Sequence, residues 1–125
     1  MAALKIMIVE DEIIVAKDIQ RILKKLGYEA FDPFANGKKA LDAVEKLNPD
    51  IILLDIQMPI MDGIAALPEI KKLCPNTKII MLTMMDDHSM ITRLMELGAN
   101  SYLSKTSDSE TIYEAIKTCM EQEYY

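Results

Sequence analysis

Five short apolar runs alternate with five stretches whose apolar residues recur at helical spacing, and this alternation limits the chain to few folds. The runs are Leu4–Val9, Tyr28–Phe31, Ile51–Leu54, Lys78–Leu82 and Ser101–Ser104. Ile51–Leu54 is unbroken and apolar, which suits a strand covered on both faces. Between the runs, Val15, Ile19, Ile22, Leu23 and Leu26 fall on one helical face, with Gly27 as the stop. Asn36-Gly37 opens a second helix carrying Leu41, Val44 and Leu47 inward, and Asn48-Pro49 ends it. A third helix from Gly63 to Leu73 turns Ile64, Leu67 and Ile70 inward and contains Pro68, which predicts a kink or a ragged first turn. Asp86-Asp87 caps a fourth, with Met90, Leu94 and Leu97 inward and Gly98 as its stop. Ser107 and Glu110 form a capping box for the last helix, which buries Ile112, Ala115, Ile116, Cys119 and Met120.

Strands and helices in strict alternation predict an α/β fold, a doubly wound five-stranded parallel sheet with right-handed crossovers and helices on both faces. The order 2-1-3-4-5 follows if the half-polar second strand lies at an edge and the third is central. Ligands in such a sheet bind beyond the C-terminal strand ends, at the switch point between strands 1 and 3. At 125 residues, 1–125 reads as one domain able to bury about two-thirds of its unfolded surface.

Composition narrows the function. A net charge of -6 argues against direct nucleic-acid binding, which depends on Lys and Arg neutralising phosphates. No apolar run approaches the roughly 20 residues that span a bilayer. Cys74 and Cys119 lack metal-motif spacing and read as small core residues in a reducing compartment, so a cytoplasmic location is expected.

The chemistry gathers at the predicted C-terminal strand ends. Glu10 and Asp11 follow strand 1, Asp55 ends strand 3, Thr83 ends strand 4 and Lys105 ends strand 5. A carboxylate such as Asp55 at that edge is a nucleophile, a metal ligand or a plain loop cap. Any one of these residues alone would suit an ordinary strand–helix turn; the whole set at four strand ends does not. Three close carboxylates raise one another's pKa unless a cation holds them. Mg²⁺ suits them, being a hard ion that needs one or two carboxylates and keeps its waters for a phosphoryl group. Asp55 is then able to attack phosphorus, and Lys105 and the Thr83 hydroxyl to neutralise the developing charge.

Val9-Glu10-Asp11-Glu12, Asp55-Ile56-Gln57-Met58-Pro59 with Gly63, Leu82-Thr83 and Ser104-Lys105 together resemble the receiver domain of two-component response regulators, along the whole chain and in order. The resemblance implies the CheY-like (flavodoxin-like) fold and Asp55 as phosphoacceptor, charged in a Mg²⁺-dependent reaction by a sensor histidine kinase or a small acyl phosphate. It implies Asp11 and Asp55 as direct Mg²⁺ ligands with the Gln57 backbone carbonyl, and Glu10 as a ligand through water. Thr83 is the implied switch hydroxyl, Lys105 the phosphate-binding lysine and Tyr102 the aromatic that changes rotamer. Such a domain is not an enzyme toward a separate substrate; it catalyses only its own phosphorylation and dephosphorylation. Leu82–Ser104 is similar to receivers of the NarL/LuxR type, which usually precede a DNA-binding domain, so the receiver is either excised or stand-alone. The output expected is transcriptional or a partner protein, with a homodimer possible through helix 4, strand 5 and helix 5. Three positions depart from many members: Glu10 is longer than the usual Asp, Met84 is bulky beside the phosphate site, and Thr106 replaces the proline after the lysine. With Thr106 in place, the Lys105–Thr106 bond is expected to be trans, because a cis bond without proline costs about 2.5–4 kcal/mol. His88 reads as helix surface.

A phosphatase of the haloacid dehalogenase type needs a second Asp two residues after the first, where this chain has Gln57. A flavodoxin-like FMN binder needs a hydroxyl- and glycine-rich loop after strand 1, where Glu10-Asp11-Glu12 would repel the phosphate.

Overall fold

In the computed structural model, which describes residues 3–84 and 88–121, β1 (Lys5–Val9), β2 (Glu29–Ala30), β3 (Ile51–Asp55), β4 (Lys78–Thr83) and β5 (Ser101–Ser104) form one sheet. The strand order is β2-β1-β3-β4-β5 and every pairing is parallel. The expected architecture therefore stands. The helices α1 (Ile13–Lys25), α2 (Gly37–Leu47), α3 (Gly63–Leu73), α4 (His88–Glu96) and α5 (Ser109–Glu121) fill the crossovers.

The sheet splits the core in two because side chains of each buried strand alternate in direction. Ile6, Ile8, Ile51, Leu53, Ile80 and Leu82 pack with Ala16, Ile19 and Leu23 of α1 and Ile112, Ile116 and Cys119 of α5. Met7, Val9, Ile52, Leu54, Ile79 and Met81 pack on the other side with α2, α3 and Leu94 of α4. Both cysteines are buried and free, one in each half.

Several local expectations need correction. β2 is only two residues long, and the chain touches β1 again at the single bridge between Val9 and Phe34. The buried face of α1 is centred on Ala16, Ile19, Gln20 and Leu23, while Val15, Ile22 and Leu26 are partly buried at its margins. Buried Gln20 earns its place by donating to Phe31 O (3.3 Å) and Asp32 Oδ1 (3.1 Å), which ties α1 to the end of β2. α3 runs from Gly63 to Leu73 with Pro68 inside it, the expected bounds. The cap of α5 is Asp108, whose Oδ1 accepts from Thr111 N–H at 2.8 Å, in place of the expected Ser107. Asp86-Asp87 lies outside the described residues.

Candidate functional site

Register and strand parity assemble the site. Val9 pairs with Leu54, Leu82 with Asp55 and with Leu103. One step beyond β1 and two beyond Leu103, Glu10 and Lys105 fall on the same side of the sheet as Asp55. Lys105 Nζ accordingly lies 2.8 Å from Glu10 Oε1, 3.0 Å from Asp55 Oδ1 and 3.3 Å from Glu12 Oε1. The lysine side chain is only 6% exposed, and those of Glu10 and Asp55 less still.

The turn after β3 holds Asp55 in place. Gly63 N–H donates to Ile56 O at 2.8 Å, and a Cβ on Gly63 would lie 2.1 Å from Asp55 O. Only glycine lets the start of α3 come this close to the backbone of Asp55. Asp62 caps the helix, its Oδ1 accepting from Ala65 N–H at 2.9 Å. Between them Ile60, 82% exposed, takes φ 69°, and Met61 N–H closes on Pro59 O at 2.7 Å. A β-branched residue at such a φ is strained.

Glu10 and Asp55 are held against solvation. Burial pushes Glu10 up to about 7, against the pull of Lys105 and of the Glu12 N–H that donates to its Oε2 at 3.0 Å. Burial also raises Asp55, with Lys105 opposing. Burial alone would lower Lys105, but its hydrogen bonds and charge pairing with Glu10 and Asp55 outweigh that and raise it. Asp55 Oδ2 is buried and has no hydrogen-bond partner among the described residues. Glu10 Oε1, by contrast, faces the Lys105 ammonium at 2.8 Å.

An open cleft of about 710 Å³ leads to Asp55; its walls include Asp11, Gln57, Thr83, Met84 and Lys105. Glu10, Asp11 and Asp55 each present a carboxylate oxygen, all within 4.8 Å of one another. With an orphaned buried oxygen among them, this all-oxygen donor set fits a hard divalent ion. Both Glu10 oxygens already face partners within the protein, which suits contact through water better than direct ligation.

The structure thus brings together Glu10, Asp55 and Lys105, and sets Asp11, Gln57 and Thr83 on the same cleft. Tyr102 stands apart. On β5 it pairs with Met81 of β4, two residues before Thr83 and Ser104 come opposite, and is 45% exposed. Met84 flanks the cleft and is 67% exposed, whereas Met85 lies outside the described residues. The Lys105–Thr106 bond is trans, as expected, and Thr106 N–H donates to Ser104 Oγ at 3.2 Å, a bond that proline would lack. Sequence reasoning gave Glu12 no role, though the run of three acids was its signal. It also passed over Ile13 and Ile14, 63% and 83% exposed, which leave the apolar stripe of α1 and line a groove that includes Lys105 and Thr106.

The chain is similar to known proteins in sequence and fold. The sporulation initiation phosphotransferase F of Bacillus subtilis is 38% identical over 113 residues, covering 90% of each chain. The transcriptional regulatory protein DegU of Brevibacillus brevis is 34% identical over 91% of this chain but only 49% of its own length, so the chain spans about half of that relative. Among solved structures, the CheX-CheY-BeF3-Mg+2 complex from Borrelia burgdorferi superposes with a TM-score of 0.90 at 26% identity, covering 95% of this chain and 90% of that one. No helix among the described residues is long and apolar enough to cross a membrane. The response regulator receiver domain model matches residues 6–117, which takes in every strand end described above except the first residue of β1, and the chain belongs to that family of two-component signalling domains.

Proposed function

We propose that this receiver domain accepts a phosphoryl group on Asp55 from a sensor histidine kinase or a small acyl phosphate. The carrying observation is the split state of the Asp55 carboxylate. Oδ1 rests 3.0 Å from Lys105 Nζ, while buried Oδ2 has no hydrogen-bond partner among the described residues. A carboxylate oxygen of Asp55 attacks phosphorus, and the bond from phosphorus to the donor's oxygen or imidazole nitrogen breaks, leaving an acyl phosphate. Lys105 turns from the carboxylates to a phosphoryl oxygen, and the Thr83 hydroxyl, on the cleft wall, donates to another. Asp11, Asp55 and the Gln57 carbonyl would hold Mg²⁺ directly, with Glu10 acting through water. Bound there, the ion supplies positive charge against the transferring group. Attack by water on the acyl phosphate returns the resting state, so the domain catalyses only its own charging and discharging.

The signal leaves through α4, β5 and α5. Thr83 is buried beside the phosphoryl site and Tyr102 is half-exposed one strand over, so a hydroxyl drawn inward vacates space into which the ring swings. A partner protein, a transcriptional output domain or a second copy then binds one state better, and only such differential affinity shifts the population. The location is cytoplasmic, where kinase and donor reside, and the acidic domain does not itself bind nucleic acid. Support for a metal-dependent phosphoacceptor also comes from the Borrelia neighbour, captured with BeF3 and Mg.

Mass spectrometry after incubation with acetyl phosphate and Mg²⁺ is the test. The expected result is a gain of one phosphoryl group, absent from Asp55→Asn and abolished by EDTA. An adduct that persists in Asp55→Asn places the acceptor elsewhere.

A further inference from the structure

We propose that Glu12 is a positioning residue for Lys105, holding the ammonium on the resting carboxylates and so limiting how readily it turns to an incoming phosphoryl group. This rests on Asp55 being the phosphoacceptor. Glu12 is the N-cap of α1, a position from which a short polar side chain folds back onto the first free amides. It makes no such bond. Its carboxylate reaches out instead to Lys105 Nζ at 3.3 Å, while its backbone N–H donates to Glu10 Oε2 at 3.0 Å. One residue therefore grips the cluster twice, once through its carboxylate and once through its backbone N–H.

The three carboxylates around Lys105 are not equivalent. Those of Glu10 and Asp55 are 0% and 3% exposed and need the lysine as their counter-charge. Glu12 is 61% exposed and is solvated without it. Glu12 is also the one free to swing, at the boundary where Lys105 lines both the cleft to Asp55 and the groove beside Ile13 and Ile14. A phosphoryl group that recruits Lys105 has to break this contact, so the contact opposes charging. An ion pair with one exposed partner is worth little in water, which sets the expected effect at about 1.4- to 5-fold.

Two variants separate reach from charge. Glu12→Gln removes the charge; Glu12→Asp keeps it but draws the carboxylate back by about 1.5 Å, beyond contact. Two readouts serve. The first is the apparent affinity for beryllofluoride with Mg²⁺, followed by NMR. The second, in metal-free protein, is the rate at which trace acetic anhydride acetylates Lys105 relative to Lys117 on α5. Both variants are expected to bind beryllofluoride about 1.4- to 5-fold more tightly and to acetylate faster at Lys105. If Glu12→Asp matches wild type while Glu12→Gln does not, the effect is charge at a distance and the proposal fails. Wild-type behaviour in both variants also overturns it. Failure of wild-type protein to gain a phosphoryl group from acetyl phosphate sinks the phosphoacceptor reading alone, because metal-free acetylation still reports on the Glu12–Lys105 contact.

Discussion

Strand β3 carries an aspartate at each end, Asp50 just before it and Asp55 as its last residue, and their surroundings differ in kind. Asp50 Oδ2 accepts from Lys5 N–H at 2.8 Å, and its backbone joins Lys5 and Lys78. The other polar groups at that end are similarly matched. Thr77 Oγ1 donates to Pro49 O at 2.9 Å, and Asn100 Oδ1 accepts from Ile79 N–H and Lys71 Nζ, both at 2.9 Å. At the opposite end, Glu10 and Asp55 are buried and share one lysine, and Asp55 Oδ2 has no hydrogen-bond partner among the described residues. The backbone repeats the contrast. Asn48 takes φ 47° at the satisfied end, which asparagine tolerates, whereas Ile60 takes φ 69° at the other. One end of the sheet is built for stability; the other stores unfavourable electrostatics and strain, as sites reserved for a ligand do.

The sharpest way to break this contrast is Gly63→Ala. Its Cβ would meet backbone at 2.1 Å, and backbone has no rotamer to escape into. Denaturant unfolding should show a loss of about 3 kcal/mol or more. Gly27→Ala is the control: it has nothing within 4 Å of its Cβ, so only its φ of 95° costs, about 1 kcal/mol. Equal losses would mean that the turn after β3 yields, and that Asp55 is held less firmly than its surroundings indicate.

The two aspartates test the comparison directly. Asp50→Ala leaves Lys5 N–H without its acceptor and is expected to cost about 1–2 kcal/mol. Asp55→Asn, in metal-free protein, removes a buried charge that competes with Glu10 for Lys105 and is expected to stabilise by about 1 kcal/mol. Opposite signs in chemical denaturation support the contrast. Destabilisation by both would show that the Asp55–Lys105 pair contributes more than its burial costs.

How much of this was legible beforehand follows the same division. Continuous apolar strands and helical periodicity carry the fold, because burial on both faces of a sheet leaves little choice of residue, and the strand order came with them. Glu10, Asp11, Asp55, Thr83 and Lys105 were legible because each stands where an apolar run ends. What was missed depends on direction and distance. Glu12 stands beside the site residues in sequence, but only the fold shows its side chain turned to Lys105. Ser107 and Glu110 fit a capping box, yet Asp108, one residue on, makes the bond. The buried place of Gln20 depends on Asp32 and Phe31, which only the fold brings to it from the end of β2. The strain at Ile60 has no sequence signal, since isoleucine gives no hint of a positive φ.

That strain gives a smaller test. Ile60→Gly relieves the left-handed backbone of an exposed side chain and should raise stability by about 0.5–1 kcal/mol, less the entropy that glycine adds to the unfolded chain. Asn48→Gly at the satisfied end should change it by no more than a few tenths of a kcal/mol, because asparagine tolerates the left-handed region. Similar gains at both positions would remove the distinction between the two ends.

The finest prediction divides the active end itself. Glu10 has its folded pKa raised from 4.5 to about 7, so its contribution to stability is fully present below about pH 4.5 and is lost as pH rises through about 7. Asp108, at the start of α5, has its pKa lowered by the Thr111 side chain and by the Thr111 N–H. Its contribution has the opposite sign: present above the usual carboxylate range and lost as pH falls through its folded value. Two carboxylates near one end of the sheet should therefore tilt the melting curve in opposite directions, the exposed cap by less than the buried acid. In metal-free protein, Glu10→Gln should flatten the fall in Tm between about pH 4.5 and about pH 7. Asp108→Asn should flatten only the acid limb, by a few degrees at most. Mg²⁺ favours deprotonated ligands and should oppose the Glu10 slope without touching the Asp108 one. A Glu10→Gln profile that keeps the wild-type slope would show that Lys105 already holds Glu10 ionised. The resting site would then be a satisfied ion cluster like the polar network at the other end of β3, and the contrast between the two aspartates would rest on Asp55 Oδ2 alone.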